Sequence, residues 1–183
     1  MPIIDFSKLS FLLLLESHEL KPFDCGDKDL NSFLFKKALH YKKELLATTF
    51  ILENQERTIA YYTLFNDCLR VEDTTFSSKN AINRFLKTFL SHPKRHLKSF
   101  PAIKIGRLAI DETFKGLGLG RVIINTIINN AIEMNKHQAC KFITVDAYQT
   151  SLLFYERLGF KYLSDNDKNK DTRQMYLDLT QYI

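Results

Sequence analysis

Hydrophobic and polar positions in the first part of the chain change between strand-like and helix-like spacing. Residues 11–15 form an apolar run that predicts a buried strand. Residues 27–46 predict a helix, because Asp27 can cap its first turn and apolar side chains then recur every three or four positions. These side chains are Leu30, Phe33, Leu34, Ala38 and Tyr41. Two β-rich runs, residues 48–52 and 58–65, flank a short polar turn and predict a hairpin.

The rest of the chain predicts a mixed order of helices and strands. The pattern predicts helices at residues 76–90, 119–136 and 150–158, and strands at residues 102–110, 142–146, 160–163 and 174–179. Such an order indicates an α+β or α/β fold with a mixed sheet. We therefore expect residues 1–183 to form one domain, with a basic helical insert at about residues 76–100.

The composition excludes several classes of protein. Hydrophobic residues make up 45% of the chain, and only 6 Gly and 4 Pro are present, so collagen-like and low-complexity chains are excluded. No apolar run approaches the roughly 18 residues of a membrane span, and none resembles a signal peptide, so we expect a cytoplasmic protein. Cys25, Cys68 and Cys140 are scattered, which favours reduced thiols over disulfides or a zinc site.

Positive charge is concentrated between residues 77 and 107, a stretch that contains no Asp or Glu. It would attract phosphate backbones, although an ordinary solvated helix and loop face has the same composition. The candidate substrate-binding residues are Arg84, Lys87, Lys94, Arg95 and Lys98. His92 and His96 are four residues apart, but Pro93 lies between them and no carboxylate is near in sequence, so we expect no metal site.

The most informative segment is a glycine-rich loop between a predicted strand and a predicted helix. Lys115, Gly118 and Gly120 have the spacing Lys-x-x-Gly-x-Gly, and Gly116 adds a further glycine. The first N–H groups of a helix have no intrahelical acceptor and carry the positive end of the helix dipole. Glycines let an anion approach them closely. The segment therefore predicts an anion-binding loop; the alternative is a tight turn without a ligand.

Two common phosphate-binding motifs do not fit this loop. A Walker loop requires Lys and then Ser or Thr after its last glycine, whereas Gly120 is followed by Arg121 and Val122. A Rossmann fingerprint requires GxGxxG, and neither Gly116 nor Gly118 begins one.

The spacing instead resembles the acyl-CoA loop of the GNAT N-acetyltransferases, Gln/Arg-x-x-Gly-x-Gly/Ala. Residues 154–160, FYERLGF, are similar to the FYExxGF segment of the same family and follow the loop in the family's order. Residues 22–34, PFDCGDKDLNSFL, resemble the FDCGxxxLxxWL opening of the GNAT toxins of bacterial toxin–antitoxin pairs. Those toxins acetylate the amino group of an aminoacyl-tRNA. The resemblance covers residues 23–179 and implies the GNAT fold, a mixed and mostly antiparallel sheet flanked by helices.

The resemblance also implies a site for the co-substrate acetyl-CoA. Loop amides at residues 117–121 would hold the pyrophosphate, and the strand before the loop would offer backbone groups to the pantetheine. The implied residues are Leu108, Ile110, Lys115, Gly116, Leu117, Gly118, Leu119, Gly120 and Arg121. Tyr155 would protonate the departing thiolate, a proton transfer that thioester cleavage requires; the alternative is a core aromatic. Implied partners are an aminoacyl-tRNA, an antitoxin protein and, as is common in the family, a second copy of the chain.

Three departures from the family pattern bear on the chemistry. Lys115 stands where Gln or Arg is usual, which keeps a donor but loses the forked geometry. Tyr148 stands where the family often has an Asn that contacts CoA. Residues 101–110 contain no carboxylate, although many GNAT enzymes use a Glu there as a base. An aminoacyl-tRNA α-amine suits such a site, because its pKa is lower than that of lysine.

Three functions remain open from sequence. The first is acetyl transfer from acetyl-CoA to an aminoacyl-tRNA. The second is acetyl transfer to a protein N-terminus, a lysine or a small-molecule amine. The third is a non-catalytic module that binds acyl-CoA or an antitoxin.

Overall fold

A computed structural model describes residues 11–72, 75–89 and 98–183. Within these residues, seven strands form one sheet in the order β1-β2-β3-β4-β5-β7-β6. The strands are β1 (Leu12–Leu13), β2 (Ala47–Glu53), β3 (Thr58–Arg70), β4 (Ser99–Ile110), β5 (Phe142–Tyr148), β6 (Lys161–Tyr162) and β7 (Thr172–Asp178). The pairs β1/β2, β2/β3, β5/β7 and β6/β7 are antiparallel. The predicted mixed, mostly antiparallel sheet with flanking helices is confirmed.

The described residues contain five α-helices and several tighter or wider turns. The α-helices are α1 (Lys28–Ser32), α2 (Ala38–Lys43), α3 (Lys79–Phe89), α4 (Leu119–Met134) and α5 (Leu152–Glu156). A π-helical turn, Phe33–Lys37, joins α1 to α2, and 3₁₀ turns span Glu112–Phe114, Gln149–Ser151 and Leu179–Tyr182. None of these helices has the length and apolarity needed to cross a membrane.

The helix predicted at residues 27–46 is present, but it is not continuous. Asp27 caps it as expected, with its carboxylate accepting from the amides of Asp29 at 2.8 Å and Leu30 at 3.0 Å. In the π-helical turn, the Ala38 amide donates to the carbonyl of Phe33, five residues earlier. Local periodicity does not distinguish this wider turn from an α-helical one.

The prediction of a buried strand at residues 11–15 is wrong in two respects. Only Leu12 and Leu13 pair with β2, and their side chains are 46% and 39% exposed. The pair lies at the edge of the sheet, where a strand has a partner on one side only. Leu14, just after it, is the residue that enters the core.

The chain divides into two compact units. The first comprises Met1–Phe65 and Ile105–Ile123. Its core joins buried side chains of the α1 to α2 region to those of β2, β3 and β4, including Phe33, Ile51, Tyr61 and Ala109. The Tyr61 hydroxyl is satisfied by the carbonyl of Leu30 at 2.8 Å, which ties β3 to α1.

The second unit comprises Asn66–Lys104 and Ile124–Ile183. The second unit has a hydrophobic core of its own, in which the amphipathic helix α3 buries Ile82 and Leu86. Phe89 makes edge-on ring contacts with Phe142 of β5 and Tyr176 of β7, with ring centroids 5.1 and 5.7 Å away. Such pairs contribute about 0.5–1.5 kcal/mol beyond burial, so α3 is anchored by its aromatic face.

Candidate active site

In the first unit, β4 ends at Ile110 and a buried aspartate begins the glycine-rich loop. The Asp111 carboxylate accepts hydrogen bonds from the Thr113 amide at 3.0 Å and the Thr113 hydroxyl at 2.6 Å, which caps the 3₁₀ turn. Arg57 donates to the same carboxylate at 3.3 Å. Burial would raise the pKa of Asp111, but the bonds from Thr113 and the Asp24 amide, with the charge of Arg57, lower it below its usual range.

The segment at residues 24–26, which the sequence matched to the toxin-like opening, lies directly against this turn. The Asp24 amide donates to Asp111 Oδ2 at 3.1 Å, and the Glu112 amide donates to the Asp24 carbonyl at 2.9 Å. Lys115 Nζ donates to the Cys25 carbonyl at 2.7 Å. The contact of this motif with the loop could not be read from spacing, because the bonded residues are 87 and 90 positions apart.

Beyond Lys115, the backbone N–H groups of the loop are no longer hydrogen-bonded to other described residues. Across the described part of the chain, the N–H groups of residues 116–120 have no intramolecular acceptor. Gly116 and Gly118 have φ values of +78° and +80°, a conformation that favours glycine. A Cβ added at either position would meet nothing within 4 Å, so the space beside both is open. The loop and the first residues of α4 therefore present a row of unpaired donors, as an anion site requires.

Several of the predicted loop residues play more specific parts than the sequence suggested. The Arg121 amide donates to the Gly118 carbonyl at 3.1 Å, so it closes the first turn and is not among the free donors. Leu119 and Gly120 are buried, while Gly116 and Gly118 are exposed. The Leu119 side chain is thus part of the core, and only the Leu119 N–H group is left for the predicted binding of pyrophosphate. Leu108 and Ile110 lie half-buried on β4 in the same unit.

Tyr155 lies in the second unit, on α5. Its side chain is 6% exposed and contacts Phe154 and Phe160 edge-on, at centroid distances of 5.0 and 5.2 Å. The Phe160 amide donates to the Tyr155 carbonyl at 3.1 Å, and Gly159 at φ +90° allows the chain to fold back this way. Within the described residues the Tyr155 hydroxyl has no hydrogen-bond partner. Burial raises the pKa of Tyr155, so the phenol keeps its proton at neutral pH.

A family comparison bears directly on this loop and on the FYE segment. Residues 95–176 match the model of the acetyltransferase (GNAT) domain, a span that contains both. This part of the chain is therefore similar to a GNAT acetyltransferase domain. A curated relative, glucosamine 6-phosphate N-acetyltransferase of Trypanosoma brucei brucei, is 32% identical over 72 residues, which is 39% of this chain. The match spans 41% of that enzyme, less than half of its length.

Solved structures extend the likeness beyond the GNAT domain match to almost the whole chain. AtaT complexed with acetyl-methionyl-tRNAfMet has a TM-score of 0.74 at 21% identity, covering 96% of this chain and 97% of that one. AtaTR bound with AcCoA has a TM-score of 0.73 at 24% identity, covering 96% of each chain. A mutant AtaT toxin bound to the C-terminus of the antitoxin AtaR has a TM-score of 0.72 at 21% identity, covering 95% of this chain and 94% of that one. These likenesses confirm the predicted GNAT fold.

Three of the five basic residues selected from sequence lie among the described residues of the second unit. Arg84 and Lys87 are exposed on α3, and Lys98 is exposed just before β4. Among the described residues none of these three has an ion-pair partner. Lys94 and Arg95 fall in residues 90–97, outside the described part of the chain.

Two polar pairs on the strands of the second unit were missed by sequence reasoning. Thr144 on β5 donates to Asp67 on β3 at 2.5 Å, and Lys104 on β4 is paired with Asp146 on β5. The described strand β4 therefore contains no carboxylate, but the Asp146 carboxylate of β5 lies beside it through its pair with Lys104. Residues 67 and 144, like residues 104 and 146, are far apart in sequence, so no local pattern could have revealed either pair.

Proposed function

We propose that this protein is an acetyl-CoA-dependent N-acetyltransferase whose acceptor is the amino group of an aminoacyl-tRNA. The observation that carries the proposal is the row of N–H groups at residues 116–120, which have no acceptor among the described residues and end in the first turn of α4. These donors suit a diphosphate, which has several acceptor oxygens and benefits from the positive end of the helix dipole.

The loop would hold the pyrophosphate of acetyl-CoA through its backbone. Arg121, exposed on the first turn of α4, would add a positive charge beside it. By resemblance to the family, the backbone of Leu108 and Ile110 would pair with the pantetheine arm. AtaTR was solved bound with AcCoA, which supports the same co-substrate here.

The transfer step needs one proton donor and one proton acceptor. The amine nitrogen attacks the thioester carbonyl, the C–N bond forms, and the C–S bond breaks to release a thiolate. Tyr155, whose phenol is protonated at neutral pH, would protonate that thiolate. The proton that the nitrogen loses as the amide forms would pass to water, and water would return a proton to the phenolate. The amine must arrive unprotonated, and the α-amine of an aminoacyl ester does so more readily than a lysine, whose pKa is about 10.4.

The acceptor assignment is supported by charge and by structural likeness. Arg84, Lys87 and Lys98 are exposed cations without acidic partners among the described residues, and Lys94 and Arg95 belong to the same basic stretch. Exposed cations of this kind bind backbone phosphates and do not distinguish one nucleotide sequence from another. AtaT was solved with acetyl-methionyl-tRNAfMet, a product of such a reaction. A tRNA acceptor also implies a cytoplasmic protein.

An antitoxin is the protein partner that the proposal implies. AtaT was solved with the C-terminus of its antitoxin AtaR. A second acceptor class, a small-molecule amine, is favoured by the likeness to glucosamine 6-phosphate N-acetyltransferase over 72 residues.

The test is transfer of labelled acetyl from acetyl-CoA to a pool of charged tRNA, run beside uncharged tRNA, glucosamine 6-phosphate, peptides and polyamines. We expect label on charged tRNA alone. Label on glucosamine 6-phosphate, a peptide or a polyamine, with unlabelled tRNA, would reject the acceptor and leave the acetyl-CoA site standing. Binding of acetyl-CoA without transfer to any amine would support a non-catalytic module.

A further inference from the structure

We infer that residues 24–26 act as a clamp on the glycine-rich loop, and that Lys115 is a positioning residue of this clamp and not a phosphate ligand. The inference rests on the proposed function, since it concerns how the acetyl-CoA loop is held. It assigns a role to the Asp24-Cys25-Gly26 motif, which the proposed chemistry does not use.

The clamp is joined to the upstream half of the loop by three hydrogen bonds. Two are made by the backbone of Asp24, to Asp111 Oδ2 at 3.1 Å and from the Glu112 amide at 2.9 Å. The third is the bond from Lys115 Nζ to the Cys25 carbonyl at 2.7 Å. These bonds fix residues 111–115 immediately before the row of free N–H groups begins.

The clamp is itself held rigidly. Asp24 Oδ1 accepts from the Gly26 amide at 2.8 Å and from Asn31 Nδ2 at 2.7 Å. The Cys25 amide donates to Asn31 Oδ1 at 3.0 Å. Asn31 therefore binds the clamp with both ends of its amide, and among the described residues it makes no hydrogen bond to the loop. The bonds from Gly26 and Asn31 hold the pKa of Asp24 below its usual range.

The backbone at residue 26 favours glycine, because its φ of +78° lies in the left-handed region. A Cβ there would also meet the terminal oxygen Oε1 of the exposed Glu112 side chain, which can move aside. The same Glu112 oxygen lies 3.7 Å from Lys115 Nζ. The Lys115 ammonium thus gives one of its three donors to the Cys25 carbonyl and lies near the opposite charge of Glu112, so it is directed toward the clamp.

The physical consequence is preorganisation. A loop whose N–H groups lack intramolecular acceptors has little to hold its own shape, and ordering it on binding would cost affinity. Anchoring its upstream end at the clamp removes part of that cost before the ligand arrives. Loss of one anchoring hydrogen bond should therefore weaken acetyl-CoA binding.

The experiment is calorimetric titration of acetyl-CoA at several salt concentrations into the wild type, Lys115→Met, Asn31→Ala and the double variant. We expect each single variant to weaken binding about 2- to 10-fold, the range that loss of one net hydrogen bond predicts. We expect the fold-loss of acetyl-CoA affinity in the double variant to be smaller than the product of the two single losses, because both substitutions act through the clamp. The salt dependence of binding should be unchanged by Lys115→Met.

Arg121→Met and Lys136→Met serve as the comparison variants. Arg121→Met removes a predicted phosphate contact and should reduce the salt dependence. Lys136 is exposed at the end of α4, paired with Glu133, and its replacement should change nothing. Melting temperatures show whether each variant is folded. If Asn31→Ala is unfolded, the inference is tested by Lys115→Met alone, because the Lys115 side chain is half-exposed and its replacement should not unfold the protein.

The outcomes separate the two proposals. A salt dependence reduced by Lys115→Met as much as by Arg121→Met would make Lys115 a phosphate ligand and overturn the inference. Wild-type affinity in both Lys115→Met and Asn31→Ala would also overturn it, with the acetyl-CoA site intact. A wild type that does not bind acetyl-CoA would overturn the proposed function and the inference together.

Discussion

The glycine-rich loop and the Tyr155 segment use different parts of the chain for chemistry. The loop offers backbone N–H groups at residues 116–120, and its side chains contribute little. The Tyr155 segment offers a single phenol, buried against Phe154 and Phe160. Binding should therefore depend on loop conformation and local charge, whereas turnover should depend on one hydroxyl group. Variants that separate affinity from rate test this difference.

The largest effect is expected at the hydroxyl. Tyr155→Phe keeps the ring contacts and removes the proton donor, so kcat should fall by about 10²- to 10⁴-fold while acetyl-CoA affinity stays as it was. Steady-state kinetics and calorimetry give the two values. Tyr182→Phe, at a half-exposed tyrosine in the last 3₁₀ turn, is the matched control and should keep full activity. An unchanged kcat in Tyr155→Phe would make Tyr155 a core aromatic only.

Substitutions of the basic residues on α3 should change tRNA binding without changing acetyl-CoA binding at the loop or proton transfer by Tyr155. Arg84→Glu and Lys87→Glu, on the exposed face of α3, should each weaken tRNA binding and lower the salt slope by about one unit. Acetyl-CoA affinity should not change. Filter binding over a salt series measures the slope, and Arg84→Gln separates loss of a contact from charge repulsion. An unchanged slope in both reversals would remove these residues from the tRNA surface.

The smallest effect concerns the support of the loop. Because the folded-state pKa of Asp111 is lowered, its ionised form stabilises the fold above its unfolded pKa of about 4, and this contribution is lost as pH falls further. Asp111→Asn should cost about 1–3 kcal/mol at pH 7. Chemical denaturation should show that this difference is constant from pH 5 to 8 and shrinks below about pH 4. A difference as large at pH 3 as at pH 7 would contradict the assignment of the effect to the charged form.

Sequence predicted the parts of this structure that local spacing determines. The glycines at residues 116, 118 and 120, followed by periodic apolar residues, predict a loop opening a helix because backbone conformation there depends on residue type. Asp27 was found for the same reason, as a cap beside the helix that it begins.

Features set by long-range contacts were not predicted. The bond from Lys115 to the Cys25 carbonyl joins residues 90 positions apart, and the bond from Asp24 to Asp111 joins residues 87 apart. No periodicity encodes them. Sequence also misjudged residues 11–15, because hydrophobicity alone does not tell an edge strand from a buried one. The functional role of the site residues remains a prediction for experiment.

The central claim is that acetyl-CoA binds to the free N–H groups of the loop, and one pair of variants tests it most directly. Asn and Asp both tolerate the left-handed backbone found at Gly118, and the space beside Gly118 is open, so both variants should fold. They have nearly the same shape and differ by one negative charge. In calorimetric titration, Gly118→Asp should bind acetyl-CoA at least tenfold more weakly than Gly118→Asn, because the charge lies where the pyrophosphate must lie. Equal affinities in the two variants, at the wild-type value, would contradict the claim.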